Sequence, residues 1–179
     1  MPIILITGGA RSGKSSFAQS LFDGTQQVLY IATAEVSDAE MGERVRLHRA
    51  ARPAGWRTAE RYRDLAGALE GEDGCLLDCV TVLTSNIMFE HTAQYERIPA
   101  EVAREVERDV CDELKRLIGA AKGRGMTLAL VTNELGSGIV PEHHVARVFR
   151  DIAGRVNQYL AHEADSVYLC VSGIPVKIK

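Results

Sequence analysis

Five runs of apolar residues recur along the chain, and polar residues separate them. They are IILIT (3–7), VLYIAT (28–33), CLLDCV (75–80), TLALVT (127–132) and SVYLCVSG (166–173). Each run is rich in β-branched residues and apolar at most positions, which is typical of strands that are buried on both faces. The pattern therefore predicts the strands of a mainly parallel sheet.

Between these runs, apolar residues recur at the three- to four-residue spacing of helices. The stretches are SSFAQSLF (15–22), AEMGERVRLHRA (39–50), a helix that starts TVLTSNIM (81–88), EVAREVERDVCDELKRLIGAA (101–121) and HHVARVFRDIAGRVNQYLAHEA (143–164). Alternation of strands and helices indicates an α/β fold with helices on both faces of the sheet. No repeat or low-complexity linker interrupts it, so we expect residues 1–179 to form a single domain.

The composition of the chain argues against several classes of binding partner. The net charge of -3 and the pI near 6.0 give no general electrostatic basis for binding nucleic acid or a membrane surface. The stretch MPIILITGG has no basic start followed by a long apolar run, and nowhere do eighteen apolar residues occur together, so we expect a cytoplasmic protein without membrane insertion. Cys75 and Cys79 lie in or beside an apolar run, which favours buried reduced thiols over a metal site.

The first apolar run is followed directly by GGARSGKSS, in which Gly8, Gly13, Lys14 and Ser15 match the phosphate-loop pattern G-x-x-x-x-G-K-[ST]. The loop follows a predicted strand and opens a predicted helix, as phosphate binding by backbone N–H groups requires. Lys14 is expected to reach the β- and γ-phosphates, and the Ser15 hydroxyl to join a Mg²⁺ shell. The expected fold class is therefore a P-loop NTPase of RecA-like type.

Two carboxylates end later strands of the predicted sheet. Asp78, in CLLDCV, is the candidate for the residue that holds Mg²⁺, usually through water. Its structural alternative is to cap the helix that follows. Glu134 occupies the comparable position after TLALVTN, where it is either a supporting carboxylate or general base, or a solvated residue at a strand end.

A basic cluster surrounds one histidine in ERVRLHRAARPAGWR (43–57). His48 lies among Arg44, Arg46, Arg49, Arg52 and Arg57, a composition that favours an anionic ligand. A neutral imidazole can attack a phosphorus atom whose oxygens arginines hold. The alternative is a surface helix on which His48 has no chemical role. On these features alone, a small-molecule kinase and a non-catalytic nucleotide switch are also open.

The order of motifs along almost the whole chain resembles one family of enzymes. The motifs are TGGARSGKS, VLYIATAE, RVRLHRAARPAGWRTAE, LLDCVT, VTNELGSGIVP, FRDIAGRVNQ and VSGIPVKIK; only residues 90–100 lack a distinctive motif. They resemble the bifunctional cobinamide kinase / cobinamide-phosphate guanylyltransferase family of cobalamin biosynthesis. The H-x3-R-P-x2-W block is specific, because most phosphate-loop enzymes lack it.

This resemblance implies two reactions: ATP or GTP phosphorylates adenosylcobinamide, and GTP then donates GMP to adenosylcobinamide phosphate. It also implies a homotrimer and a guanylyl group carried on His48. Leu47 stands where the family often has the first of two adjacent histidines. The implied nucleotide contacts are Gly8, Gly9, Ala10, Arg11, Ser12, Gly13, Lys14, Ser15, Thr33, Ala34, Glu35, Arg49, Ala50, Ala51, Arg52, Pro53 and Glu60. Glu60 is a candidate acceptor for guanine or ribose donors, or else a solvated glutamate.

Overall fold

The computed structural model describes residues 1–22, 24, 26–34, 53 and 55–179. These residues contain seven strands: β1 (Ile3–Gly8), β2 (Val28–Ala32), β3 (Arg57–Glu60), β4 (Gly74–Asp78), β5 (Thr127–Val131), β6 (Ser166–Val171) and β7 (Ile174–Lys177). The helices are α1 (Lys14–Ser20), α2 (Val80–Thr92), α3 (Ala100–Arg124) and α4 (His144–Glu163), with a short 3₁₀ turn at Ala66–Ala68.

The strands form one sheet in the order β3-β2-β4-β5-β1-β6-β7. Every neighbouring pair is parallel except the β6–β7 hairpin. The prediction of a mainly parallel α/β sheet is confirmed. One strand, β5, separates β1 from β4, and its residue Val131 pairs with Ile6 on one side and Asp78 on the other.

Apolar side chains fill both faces of this sheet, in two separate clusters. Helix α1 covers one face, where Ile6, Leu76 and Ala129 pack with Phe22 and Trp56. Helices α2, α3 and α4 cover the other face and form the larger cluster. Burial on both faces explains why the five sequence runs are apolar at most positions and do not alternate with polar residues.

Helices α3 and α4 are longer than the strands and continue beyond the sheet. Thr132, just after β5, donates to Asn157 of α4, and thirteen residues of α4 precede Asn157. At about 1.5 Å per residue, this part of α4 extends roughly 20 Å along its axis. The carboxyl edge of the sheet, where strands of this direction end, is therefore flanked on one side by a helical wall.

None of the helices in the described ranges is long and apolar enough to cross a membrane. The four cysteines form no disulfide. Burial raises the pKa of the Cys79 thiol to about 11 and raises that of Cys75 further, so both thiols are protonated at neutral pH. The described residues also contain no cluster of three metal-binding side chains. These observations agree with reduced structural thiols.

Candidate active site

The phosphate loop joins the end of β1 to the start of α1. Gly13 has φ 91°, and a Cβ atom built on it would lie 2.9 Å from the Cα of Gly173. A Cβ on Gly8 would lie 2.4 Å from the Cys170 carbonyl oxygen. Glycine is therefore needed at both positions, for backbone conformation at Gly13 and for close packing against the β6–β7 hairpin at both.

Lys14 is the first residue of α1, and its side chain folds back over the loop. Its Nζ donates to the Gly9 carbonyl oxygen at 2.5 Å and lies 3.5 Å from the Ser12 hydroxyl. Burial lowers the pKa of the Lys14 ammonium group, and the charge of Asp78 opposes that shift. The ammonium group is thus held inside the loop, where bound phosphates would lie.

Asp78 is the last residue of β4 and lines the same cleft as the phosphate loop. The cleft has a volume of about 580 Å³, and Lys14, Ser15, Asp78 and Asn133 are among its lining residues. One Asp78 carboxylate oxygen accepts a hydrogen bond from the Tyr30 hydroxyl at 2.8 Å. The residue at the helix N-cap is Cys79, without a side-chain cap, so capping of α2 does not explain Asp78.

The residues of this cleft fit Mg²⁺ bound together with nucleotide phosphates. The cleft presents one carboxylate, from Asp78, and the hydroxyl of Ser15, and Mg²⁺ is usually held by one or two such oxygen ligands, waters and phosphate oxygens. A closed cage of several carboxylates is not required for that mode of binding. The assignment of Ser15 and Asp78 to the metal remains a prediction.

Thr33 has a structural role that the sequence did not indicate. Its hydroxyl donates to the Cys79 carbonyl oxygen at 2.8 Å and accepts from the Cys79 N–H at 2.9 Å. Its own carbonyl oxygen accepts from Asn86. Thr33 therefore fixes the turn that follows Asp78. Because of this turn, β4 ends at Asp78, two residues before the end of the apolar run CLLDCV.

A second hollow lies at the carboxyl ends of β2 and β3. It has a volume of about 570 Å³ and is lined by residues 32–34 and 60–63, which include Ala34 and Glu60. Glu60 is exposed and pairs with Ala32 in the register of the two strands. The structure thus brings Thr33, Ala34 and Glu60 together, as expected if they contact one nucleotide. Their contact with nucleotide remains a prediction.

The basic cluster is mostly outside the described residues. Glu35, Arg44, Arg46, His48, Arg49, Ala50, Ala51 and Arg52 all lie there. Pro53 and Trp56 precede β3 at the opposite, amino edge of the sheet, so the structure does not bring Pro53 to the phosphate-loop cleft. Trp56 is buried against Phe22, and its place in the H-x3-R-P-x2-W motif is a packing role.

Arg57 is separate from any phosphate site. It begins β3, pairs with Glu72, and donates to the Ala68 carbonyl oxygen at 2.5 Å. These partners lie near the amino edge of the sheet, and they hold the guanidinium group of Arg57 there. Arg57 therefore stabilises the connection between β3 and β4, and we remove it from the group of arginines that could hold an anion.

After β5, the cleft residue is Asn133 rather than Glu134. Glu134 is exposed, and its carboxylate accepts from the Gly136 N–H at 2.5 Å, so it supports its own turn. Asn133 lines the cleft, and its backbone is held by Thr81 and Asn157. Sequence reasoning missed Asn133 and Tyr30; the position of Asn133 directly after an apolar strand was the available sign.

Replacing Asp78 by asparagine should raise the Mg²⁺ concentration needed for half-maximal turnover by about ten- to a hundredfold. Asparagine keeps an oxygen to accept from Tyr30 but loses the charge that attracts the cation. Magnesium titrations of turnover, with thermal unfolding in parallel, measure the effect. Tyr30→Phe is the matched control and should change the titration less. A destabilised Asp78→Asn protein with an unchanged magnesium requirement would assign Asp78 a structural role.

A central parallel strand that ends in this loop, with an acidic residue two strands away, defines a P-loop nucleotide-binding protein. Two solved structures share the fold. A KaiC-like protein from Pyrococcus horikoshii has a TM-score of 0.50 at 12% identity and matches 94% of this chain and 70% of its own. An ATPase of a bacterial type III secretion system has a TM-score of 0.58 at 14% identity, covering 94% and 51%. The predicted fold class is confirmed.

The chain belongs to the cobinamide kinase / cobinamide phosphate guanyltransferase family (CobU), whose model matches residues 4–178. Bifunctional adenosylcobalamin biosynthesis proteins named CobU, from Salmonella typhimurium and Escherichia coli, are 49% and 46% identical, each over 99% of both chains. A CobP protein of the same description from Pseudomonas aeruginosa is 41% identical over 98% of this chain and 96% of its own. The resemblance found in the motifs is confirmed.

Proposed function

We propose that this protein phosphorylates adenosylcobinamide with ATP or GTP and then transfers GMP from GTP to the new phosphate, giving adenosylcobinamide-GDP. The observation that carries the proposal is membership of the family over residues 4–178, together with the built phosphate loop around Lys14. The hollow at the carboxyl ends of β2 and β3, lined by Ala34 and Glu60, supports it because it lies at the same edge of the sheet as the loop, and a nucleoside triphosphate needs a site for its base or ribose as well as one for its phosphates.

In the kinase reaction, the loop holds the β- and γ-phosphates and leaves the γ-phosphorus open to the acceptor. The aminopropanol hydroxyl oxygen of adenosylcobinamide bonds to the γ-phosphorus while the bond to the β–γ bridging oxygen breaks. The nucleoside diphosphate leaves, and the hydroxyl proton passes to solvent. Lys14 stabilises the negative charge that moves onto the leaving phosphate. Mg²⁺, when bound by Ser15 and Asp78, would neutralise part of the same charge.

In the guanylyl reaction, the same grip on the β- and γ-phosphates makes pyrophosphate the leaving group. An imidazole nitrogen of His48 bonds to the α-phosphorus of GTP while the bond to the α–β bridging oxygen breaks. A phosphate oxygen of adenosylcobinamide phosphate then attacks that phosphorus and releases His48. Glu60 accepts hydrogen bonds from the guanine N1 and N2 hydrogens, which adenine lacks.

We also propose that the protein acts in the cytoplasm, as a homotrimer. The motif resemblance supports the trimer, and the supply of GTP and ATP supports the location.

Mass spectrometry of two incubations tests the function. With adenosylcobinamide, Mg²⁺ and ATP, we expect a product heavier by one phosphate. With GTP and Mg²⁺ but no corrinoid, we expect protein that carries one GMP. Addition of adenosylcobinamide phosphate to the isolated adduct should remove the GMP and yield adenosylcobinamide-GDP. If adenosylcobinamide is phosphorylated but no adduct forms, the protein is a kinase without guanylyl transfer. If neither product forms, the proposed function is rejected.

A further inference from the structure

An apolar hollow lies between α2 and α4, outside the two nucleotide hollows. It has a volume of about 330 Å³, and its walls include Ser85, Met88 and Phe89 from α2 and Val145, Ala146 and Phe149 from α4. No lysine, arginine, aspartate or glutamate is among the described residues that line it. Phe89 is 62% exposed although it is a large aromatic residue. A hollow of this kind favours an uncharged, apolar ligand surface.

One side of the hollow continues along α2 to the phosphate-loop cleft. Thr81, at the start of α2, accepts from the N–H of Asn133, which lines that cleft. Ser85 and Phe89 follow Thr81 at steps of four residues. Each step turns about 40° around the helix beyond a full turn, so this row of residues passes from the buried Thr81 to the exposed Phe89. Eight residues of helix place Phe89 about 12 Å along the axis from Thr81.

The other side continues along α4 to the same asparagine. Asn157 donates to the Asn133 carbonyl oxygen at 3.1 Å. Ala153 and Phe149 precede it at steps of four residues, and this row passes from the buried Ala153 to the half-buried Phe149, about 12 Å along the axis from Asn157. Helices α2 and α4 thus both contact Asn133, and both carry the apolar hollow further along their axes.

We propose that this apolar hollow binds an edge of the corrin ring of adenosylcobinamide. This inference rests on the proposed function. A corrinoid has an apolar macrocycle with methyl groups at its edge, uncharged carboxamide arms, and the aminopropanol arm that carries the reacting hydroxyl. The ring edge fits a hollow whose described lining is mainly apolar and contains no lysine, arginine, aspartate or glutamate. The arm then runs past Ser85 to Asn133 and brings its hydroxyl to the γ-phosphate.

The loop between Asn133 and α4 provides further apolar surface beside this path. Ile139 is 97% exposed and Val140 is 60% exposed. The loop begins in the phosphate-loop cleft and ends at His143, which also lines the hollow. Exposed apolar residues that are continuous with a catalytic cleft indicate a binding surface for a substrate that is partly apolar. The acceptor, and not the nucleotide, has that chemistry.

Phe89→Ala tests the inference through the Michaelis constants of the two substrates. We expect the KM for adenosylcobinamide to rise about tenfold, since an aromatic side chain loses its apolar contact. The KM for ATP in the kinase step, and the rate of GMP adduct formation from GTP alone, should be unchanged because neither involves the ring. Phe89→Leu should restore much of the affinity, and Tyr95→Ala, at an exposed aromatic outside the hollow, should resemble the unmodified protein.

Three results would overturn the inference. An unchanged KM for adenosylcobinamide in Phe89→Ala and in Phe89→Glu would show that the ring binds elsewhere. The same result with a change in the oligomer size, measured by analytical ultracentrifugation, would identify the hollow as a subunit contact. Failure of the unmodified protein to phosphorylate adenosylcobinamide would reject the proposed function as well, and it is detected before any variant is compared.

Discussion

Lys14→Ala should reduce both the phosphorylation of adenosylcobinamide and the transfer of GMP by about a hundredfold or more. In the proposed mechanism one phosphate loop serves both reactions, and the Lys14 ammonium group is held within this loop by the Gly9 carbonyl oxygen. Rates of product formation, measured separately with ATP for the first reaction and with GTP and adenosylcobinamide phosphate for the second, provide the test.

The matched control for that experiment is Lys122→Ala. Lys122 lies near the end of α3, where it pairs with Glu163, and it is far from the phosphate loop. Its replacement removes the same charge without affecting the site, so both rates should stay near those of the unmodified protein. Near-normal phosphorylation by a folded Lys14→Ala protein would show that the loop is not the site of phosphoryl transfer.

His48→Asn should separate the two activities. It removes the nitrogen that we propose as the nucleophile at the α-phosphorus, so GMP transfer should fall by more than about a thousandfold. Phosphorylation should persist at least in part, because the loop, Lys14 and Asp78 are unchanged. The unmodified protein incubated with GTP should carry a GMP adduct that is labile in acid and stable in base, as expected for a phosphorus–nitrogen bond, and the variant should carry none.

His162→Asn is the control for the histidine experiment. His162 lies in the last turn of α4 with its side chain 86% exposed, so this substitution changes another histidine without affecting the cleft. It should form the adduct normally. A normal adduct on His48→Asn, or equal loss of both activities in a folded protein, would mean that His48 is not the nucleophile and that the arginines around it serve binding alone.

The central strands could be predicted from sequence, whereas the edge strands could not. Runs such as IILIT and TLALVT are buried on both faces and therefore apolar at most positions. The outer strand β3 has the sequence RTAE, and β7 has IPVK with every residue exposed. An edge strand pairs with only one neighbouring strand and tolerates charged residues and proline. Its sequence therefore shows little of the apolar pattern that identifies a buried strand.

The site could be predicted only in part, for a related reason. A phosphate loop is contiguous, and its glycines and lysine are readable as one motif. Asp78 was found because a charge in an apolar run is unusual. Asn133 lines the cleft and Tyr30 donates to Asp78 from beneath it, and each comes from a separate part of the chain. A tyrosine within a strand, or an asparagine after one, is common in proteins where it has no such role. Glu134, next to Asn133, shows that neighbours in sequence can differ in role.

Strand β5 carries no group that we assign to chemistry, yet it determines the height of Asp78, the candidate metal ligand, relative to the loop. Val131 pairs with Ile6 and with Asp78, so Asp78 lies level with a residue two positions before Gly8. Two residues of strand correspond to about 7 Å, and two interstrand spacings to about 10 Å, which is space for a hydrated cation and a phosphate. An insertion or deletion in β5 would alter that spacing without changing the identity of any candidate ligand residue. The backbone hydrogen bonds of an apolar strand thus set the spacing between the phosphate loop and the carboxylate of Asp78.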